Sequence, residues 1–390
     1  MNEQLENLFD TVTTGEWGNN QGTEGGIDTG VIRSANFTKD HKFNSKEIVV
    51  RSIEQRKRQK KLLSHGDIII EKSGGSPDQP VGRVLFYDLE GEHTCSNFIS
   101  ILRPARQADP KFLYYSLCNL YERGVVKNYQ QQTTGIINLQ LGEYLRESIF
   151  FPPLPEQKKI AEILSGIDRQ TQLLQKGIQA KQNLRSALLS ETITEDAPMS
   201  KLDSVASRVS GHTPSKSHPE YWNGGIPWVS LTDTSNLDNR YISHTAKHIS
   251  EEGIKNSSAV LHPPGLVILS RDARVGCSAI TTKSMAVSQH FIGWICSEKL
   301  LNKYLYYLLQ KWKPRFEAIA MGSTIPTIGV PFFRDLEIPV PPMQTQERVA
   351  MTLESVDSEI SALSNKVAML RVLKSGVSSD LLSGRKRVSV

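Results

Sequence analysis

Two arginines, Arg271 and Arg274, stand three positions apart just after a predicted strand, Gly265 to Leu269, in a chain of 390 residues. A guanidinium is a planar fork of donors that stays charged, so it pairs two-pronged with a carboxylate, a phosphate or a guanine edge. The same forks could instead be used inside the chain on Asp272 or Asp233, which is the competing reading. Other hydrogen-bonding side chains fall nearby in predicted loops: His212, Thr213, Ser215 and Lys216 in one, and Ser230, Thr232 and Asp233 after Trp228 in another.

Catalytic chemistry is poorly represented. The Pro-Pro pairs lie in Phe-Pro-Pro-Leu, His-Pro-Pro-Gly and Val-Pro-Pro-Met, so the Asp/Asn-Pro-Pro-Tyr/Phe tetrapeptide of amino-methyltransferases is missing. No glycine-rich loop follows a strand with cofactor spacing. Pro77-Asp78 superficially resembles a nuclease motif, but no Glu-x-Lys follows it. The 9 histidines are scattered, and His290, beside a predicted strand, reads as structural. The four cysteines, Cys95, Cys118, Cys277 and Cys296, have no Cys-x-x-Cys spacing, which argues against a zinc site or a redox pair. A hydrophobic fraction of 38% and a charged fraction of 22% describe an ordinary soluble protein. The net charge of +5 permits nucleic-acid binding without suggesting it. The opening MNEQLENLFD has no apolar core and no run reaches membrane length, so a reduced, cytoplasmic protein is expected.

The elements that must position these side chains are set by a repeat. PPLPEQKKIAEILSGID begins at Pro152, and PPMQTQERVAMTLESVD begins 189 residues later at Pro341. Gln157 matches Gln346, Ala161 matches Ala350, Leu164 matches Leu353 and Asp168 matches Asp357. Each proline pair suits a helix entry. Beyond the second, Val349, Leu353, Val356, Ile360, Leu363, Val367 and Leu370 recur at alternating steps of four and three, a heptad seam. Beyond the first, Ile160, Leu164, Ile167, Thr171, Leu174 and Ile178 take the same offsets. The nearest apolar stripe of equal length is the other helix, so the two are expected to pair; packing of each on its own globular neighbour is the alternative.

Residues 1–151 read as a first globule of short strands, glycine turns and a few helices, with the charge cluster RKRQKK at Arg56 to Lys61. That cluster is either a solvated helix face or a phosphate contact. The spacer helix follows over 152–197, a second globule over 198–340, and a C-terminal helix over 341–390. Gly265 to Leu269 echoes Gly66 to Ile70, and Tyr304 to Tyr307 echoes Phe112 to Tyr115. The fold class expected is α+β: two similar globules separated by two long helices in an antiparallel coiled coil, a tandem repeat with pseudo-two-fold character.

SGHTPSKSHPEYWNGGIPWVSLTD (Ser210 to Asp233), GSTIPTIGVPFFRDLEIPVPP (Gly322 to Pro342) and the two PPxxxQ helix starts resemble the specificity subunits of type I restriction-modification systems. The resemblance covers nearly the whole chain, although Gly15 to Gly30 holds no Thr-Pro-Ser. It implies that the globules are target recognition domains for the two halves of a split double-stranded DNA site. The helices would act as spacer and as docking surface for two modification subunits. Catalysis would lie elsewhere: S-adenosylmethionine in the modification subunits, ATP and Mg in the restriction subunits, and no cofactor or metal in this chain. A helix of about 35 residues spans about 50 Å, enough to set two globules on successive turns of B-DNA, about 34 Å apart.

Groove readout needs donors and acceptors on loops. In the second globule the candidates are Arg271, Arg274, Thr213, Ser215, Lys216, Ser230 and Thr232. Ser323 and Thr324 either bind phosphate or cap a turn. In the first globule Arg33, Asn36, Lys72, Arg83, Gln132 and Thr133 occupy comparable places. Trp222 and Trp228 read as core more readily than as stacking platforms. Two other readings remain: a DNA methyltransferase or nuclease with an unrecognised site, which the purified chain would reveal by acting on DNA unaided, and a coiled-coil scaffold without a DNA role.

Overall fold

The computed structural model describes residues 1–38, 41–44, 48–76, 79–133, 135–322 and 324–389. The chain divides into two compact units, one made of Met1–Leu174 with Lys366–Val390 and the other of Gln175–Asn365. Each therefore holds one globule, the beginning of one long helix and the end of the other.

In the first unit a four-stranded antiparallel sheet runs in the order Phe9–Thr14, Ile99–Pro104, Ile68–Glu71, Val84–Phe86. Ile68–Glu71 is buried at every position, as a short uninterrupted apolar run in a central strand should be. A second sheet places Gly26–Ile32 between Val49–Glu54 and His93–Cys95. The second unit repeats both. Ala206–Ser210, Phe291–Cys296, Val267–Ser270 and Ser278–Thr281 follow the same order, with Tyr241–Ile242 added at the edge. Trp222–Val229 lies between Lys247–Ile249 and Ala286–Val287. Gly66 and Gly265 precede the two central strands at φ +93 and +86, a left-handed turn that glycine enters without strain.

A longer helix in each unit packs on this framework. Asp109 caps Pro110–Glu122 by accepting from the Phe112 amide at 2.9 Å, and Phe112, Tyr115 and Leu117 face inward as their spacing predicts. Its counterpart Asn302–Ile319 buries Tyr304, Leu305, Leu308 and Phe316.

The long helices run over Leu154–Thr192 and Met343–Leu382. They pair antiparallel within each unit. In the first, Asp168 meets Lys374 and, earlier on the central helix, Glu156 meets Arg387 from further along the chain. In the second, Lys181 meets Glu359 and Arg185 meets Asp357.

The first heptad members on each long helix pack on the globule as well as on the partner helix. Ile160 and Leu164 lie in the core of the first globule among Phe112, Leu113 and Leu117, together with Leu381 and Leu382. Val349 and Leu353 lie in the core of the second among Tyr304, Leu305 and Phe316, together with Leu189 and Ile193. A helix start beside a sheet and helix has more apolar surface to bury against than a single partner helix offers. Farther along, Ile167, Leu174, Ile178, Ile360, Leu363 and Leu370 are half-buried, with Val356 and Val367 more deeply covered. There a Cβ added to Gly177 would meet Leu363 at 3.7 Å, an ordinary van der Waals distance.

Gln130–Thr133 pairs antiparallel with Ile136–Leu139, and the latter also pairs with Ser73–Gly75. No helix among the described residues is long and apolar enough to cross a membrane.

Candidate nucleic-acid interface

In the second unit three loops meet at one end of the inner strands Val267–Ser270 and Phe291–Cys296, and Asp272 ties them. Its carboxylate accepts from Thr327 Oγ1 at 2.8 Å and lies 2.6 Å from His290 Nδ1. The next residue, Ala273, has φ 64 and donates its amide to the Pro326 carbonyl at 3.0 Å. A non-glycine residue keeps that conformation only where its surroundings impose it. Arg271 is turned inward: Nε donates to the Gln289 carbonyl at 3.0 Å and Nη1 to the Ile328 carbonyl at 3.2 Å, so it holds the loops together. Arg274, displayed by the strained turn, is exposed and donates to the Thr234 carbonyl at 3.3 Å.

Thr213 reaches the same confluence, donating to Gln289 Oε1 at 2.5 Å. Trp228 Nε1 donates to the His212 carbonyl and Trp222 Nε1 to the Ser215 carbonyl, so both indoles secure this loop, and the rings meet edge to face at 5.1 Å. Lys216 and Thr232 stand exposed, and Ser215 is exposed with its hydroxyl 2.7 Å from that of Ser217. Ser230 is buried and bonded to Asp233, where it caps the following turn. Thr324 is exposed; Ser323 lies outside the described residues, as do Pro77 and Asp78.

In the first unit the same loops recur with other residues. Asn36 is fully buried: its Oδ1 accepts from the Arg33 amide at 2.8 Å, as Asp233 Oδ2 accepts from the Ser230 amide. Arg83 is buried against Glu71 through two hydrogen bonds of 3.0 and 2.9 Å, and it donates to the Phe37 carbonyl at 2.8 Å. Lys72 matches Arg271 in its backbone bonds and donates to Thr14 Oγ1 at 2.9 Å; burial lowers the pKa of its ammonium. Asn36, Arg83 and Ser230 therefore shape loops from within, because burial takes their polar atoms out of a ligand's reach. Arg33 is half-buried beside Asn36, Gln132 is exposed on its hairpin, and the Thr133 backbone closes the same strand. Gly15 takes the place of Gly211: a Cβ on either would collide with a carbonyl oxygen, of Cys95 or Val287 respectively. This explains how the first globule keeps the loop without its Thr-Pro-Ser.

Sequence reasoning missed Gln289 and its counterpart Asn97. Both are exposed on the turn that leads into the sheet strand, after Ser288 and Ser96, whose amides bond to Val229 and Ile32. An amide side chain of this kind suits an adenine edge. Only the alignment of the two sheets brings the pair to notice.

The helix starts form a second repeated constellation. Gln157 is fully buried; its Oε1 accepts from the Asp109 amide at 2.8 Å and its Nε2 donates to the Pro152 carbonyl at 2.8 Å. Gln346, also fully buried, accepts from the Leu301 amide at 2.8 Å and donates to the Pro341 carbonyl at 2.9 Å. Farther along each helix, Asp168 accepts from Tyr115 Oη and Lys374 Nζ, and Asp357 from Tyr307 Oη and Arg185 Nε. Burial, then the adjacent carboxylate, pushes both phenol pKa values far up, so each tyrosine remains a donor. Among the described residues no group of histidine, cysteine, aspartate and glutamate is placed to hold a metal.

Residues 4–182 and 194–368 both match the family model described as the type I restriction modification DNA specificity domain. The chain belongs to that family and carries its domain twice. A type I restriction enzyme specificity subunit of Methanocaldococcus jannaschii, MjaIX, is 31% identical over 170 residues, 43% of this chain and 39% of that protein. A second from the same organism, MjaVIII, is 22% identical over 390 residues, 93% of this chain and 86% of that one. The crystal structure of a type I restriction-modification S subunit from M. genitalium shares the fold, with a TM-score of 0.61, 15% identity, and coverage of 98% and 96% of the two chains.

Proposed function

We propose that the chain reads a bipartite DNA target, one half-site per globule, and docks two modification subunits along its paired helices. It is a non-catalytic specificity subunit, and the reactions belong to the proteins it assembles with. The observation that carries the reading is the construction of each unit around the same buried glutamine and the same tyrosine–aspartate–cation cluster. Equivalent surroundings in the two units allow two copies of one partner to bind in the same way. Leu173, Met351, Met369, Val372 and Leu373 support docking on the helices, since all are large apolar side chains left exposed there. For DNA contact the best-placed candidates are Arg274, Lys216, Thr213, Ser215, Thr232 and Thr324 in the second globule, and Gln132 with Asn97 in the first. Arg271, Lys72 and Arg33 position these loops. Such an assembly works in the cytoplasm, where its DNA is. The test is a gel shift of the chain with its modification subunits over a random DNA pool. Enrichment of a split motif is expected; absence of any sequence preference would contradict the proposal.

A further inference from the structure

The short helix Gln55–Lys61 carries five cations in seven residues: Arg56, Lys57, Arg58, Lys60 and Lys61. It buries none of its residues and has no side-chain N-cap. Its like charges at i, i+4, Arg56 with Lys60 and Lys57 with Lys61, oppose helix formation. Helix propensity therefore does not account for five cations here. Two of the cations are anchored: Arg58 to Glu92 and Thr29, and Lys61 to Glu16 at 2.7 Å and to the Gly15 carbonyl. Arg56, Lys57 and Lys60 are left exposed, Lys57 with a loose 3.9 Å approach to Glu54.

The anchors fix where the exposed cations stand. Lys61 ties the helix to Gly15, which holds the place of Gly211, and so to the start of the loop that in the second unit bears Thr213 and Lys216. At the equivalent point between sheet strands the second unit has Glu251–Lys255, with the sequence EEGIK. Both of its glutamates are exposed and Ser250 caps it. One position in the shared fold is thus strongly basic in the first globule and acidic in the second.

We infer that Gln55–Lys61 is a DNA-phosphate contact specific to the first globule, so that the two half-sites are held unequally: one by backbone charge as well as base contacts, the other mainly by base contacts. This rests on the DNA-reading role proposed above. Phosphate contacts add affinity without sequence information and make binding salt-dependent.

The experiment measures affinity against salt for the chain assembled with its modification subunits, on target and on unrelated DNA. The triple variant Arg56→Gln, Lys57→Gln, Lys60→Gln keeps good helix formers at each position, and thermal melting checks that it folds. Each cation–phosphate pairing removed should reduce the slope of log K against log salt by ~0.9, up to ~2.7 for three. Target and unrelated DNA should weaken alike at low salt, the enriched motif should be unchanged, and Glu251→Gln with Glu252→Gln should not lower the slope. An unchanged slope in an assembly that still prefers its target overturns the assignment of this helix alone. Lack of target preference in the unaltered assembly overturns the DNA reading beneath it.

Discussion

Asp168 and Asp357 are the same residue of two repeats, and each accepts a tyrosine hydroxyl from its own globule at 2.8 Å together with a cation from the opposite long helix. The carboxylate therefore joins three elements at once: the helix that bears it, the antiparallel partner and the globule. Asp168→Asn and Asp357→Asn should each cost about 1.5–3 kcal/mol, the range for a hydrogen bond to a charged group. Urea denaturation measures this. A loss below about 0.5 kcal/mol in both would show that the cluster holds nothing together.

Arg83 and Arg274, both candidates from the sequence, should respond in opposite ways. Arg83→Met leaves Glu71 buried without its charge partner and should destabilise the chain by about 3–5 kcal/mol. Arg274→Ala should leave the melting temperature nearly unchanged and weaken or relax recognition in the half-site of the second globule. The reverse pattern would mean that exposure is no guide to function here.

Leu353 and Ile360 stand on one heptad stripe but in different surroundings. Leu353 is fully buried in the core of the second unit, whereas Ile360 is half-buried. Leu353→Asp should cost more than about 3 kcal/mol, because it removes an apolar side chain and buries an unpaired charge. Ile360→Asp should cost about 1 kcal/mol and act mainly on assembly. Equal losses in denaturation would restore the uniform seam.

Burial holds the imidazoles of His93 and His262 below their ordinary pKa. The unfolded chain takes up these protons first on acidification. The stability they contribute is full above about pH 6.5 and is lost as pH falls through the lowered folded values. Melting temperature should drop from about pH 7.5 to about pH 5.5, and the drop should shrink in His93→Gln with His262→Gln. A melting temperature that rises over that interval would contradict the assignment.

The architecture was legible because it is duplicated at the helix starts, where Gln157 and Gln346, and likewise Asp168 and Asp357, make equivalent hydrogen bonds in the two units. Loop residues were harder. Asn36, Arg83 and Ser230 have the side chains a DNA-reading loop needs, but the same donors and acceptors also serve buried turns, and spacing does not tell the two apart. Arg271 was indistinguishable from Arg274 until the loops that use its guanidinium were in place. Gln289 and Asn97 carried no local signal, since only the shared strand order and the matching backbone bonds of Ser288 and Ser96 make them equivalent. The helix starts carried a related ambiguity: a four-three apolar spacing suits a partner helix and a globule core equally, and here the same residues pack on both.

The most direct test of two independent readers on a shared helix pair is the methylated motif itself. Residues 198–340 would be replaced by the second globule of another family member, and DNA from cells expressing either chain with the modification subunits would be sequenced for methylation. The account predicts a split motif in which one half and the spacing are kept and the other half is replaced. A change in both halves, or a motif without a gap, would contradict it.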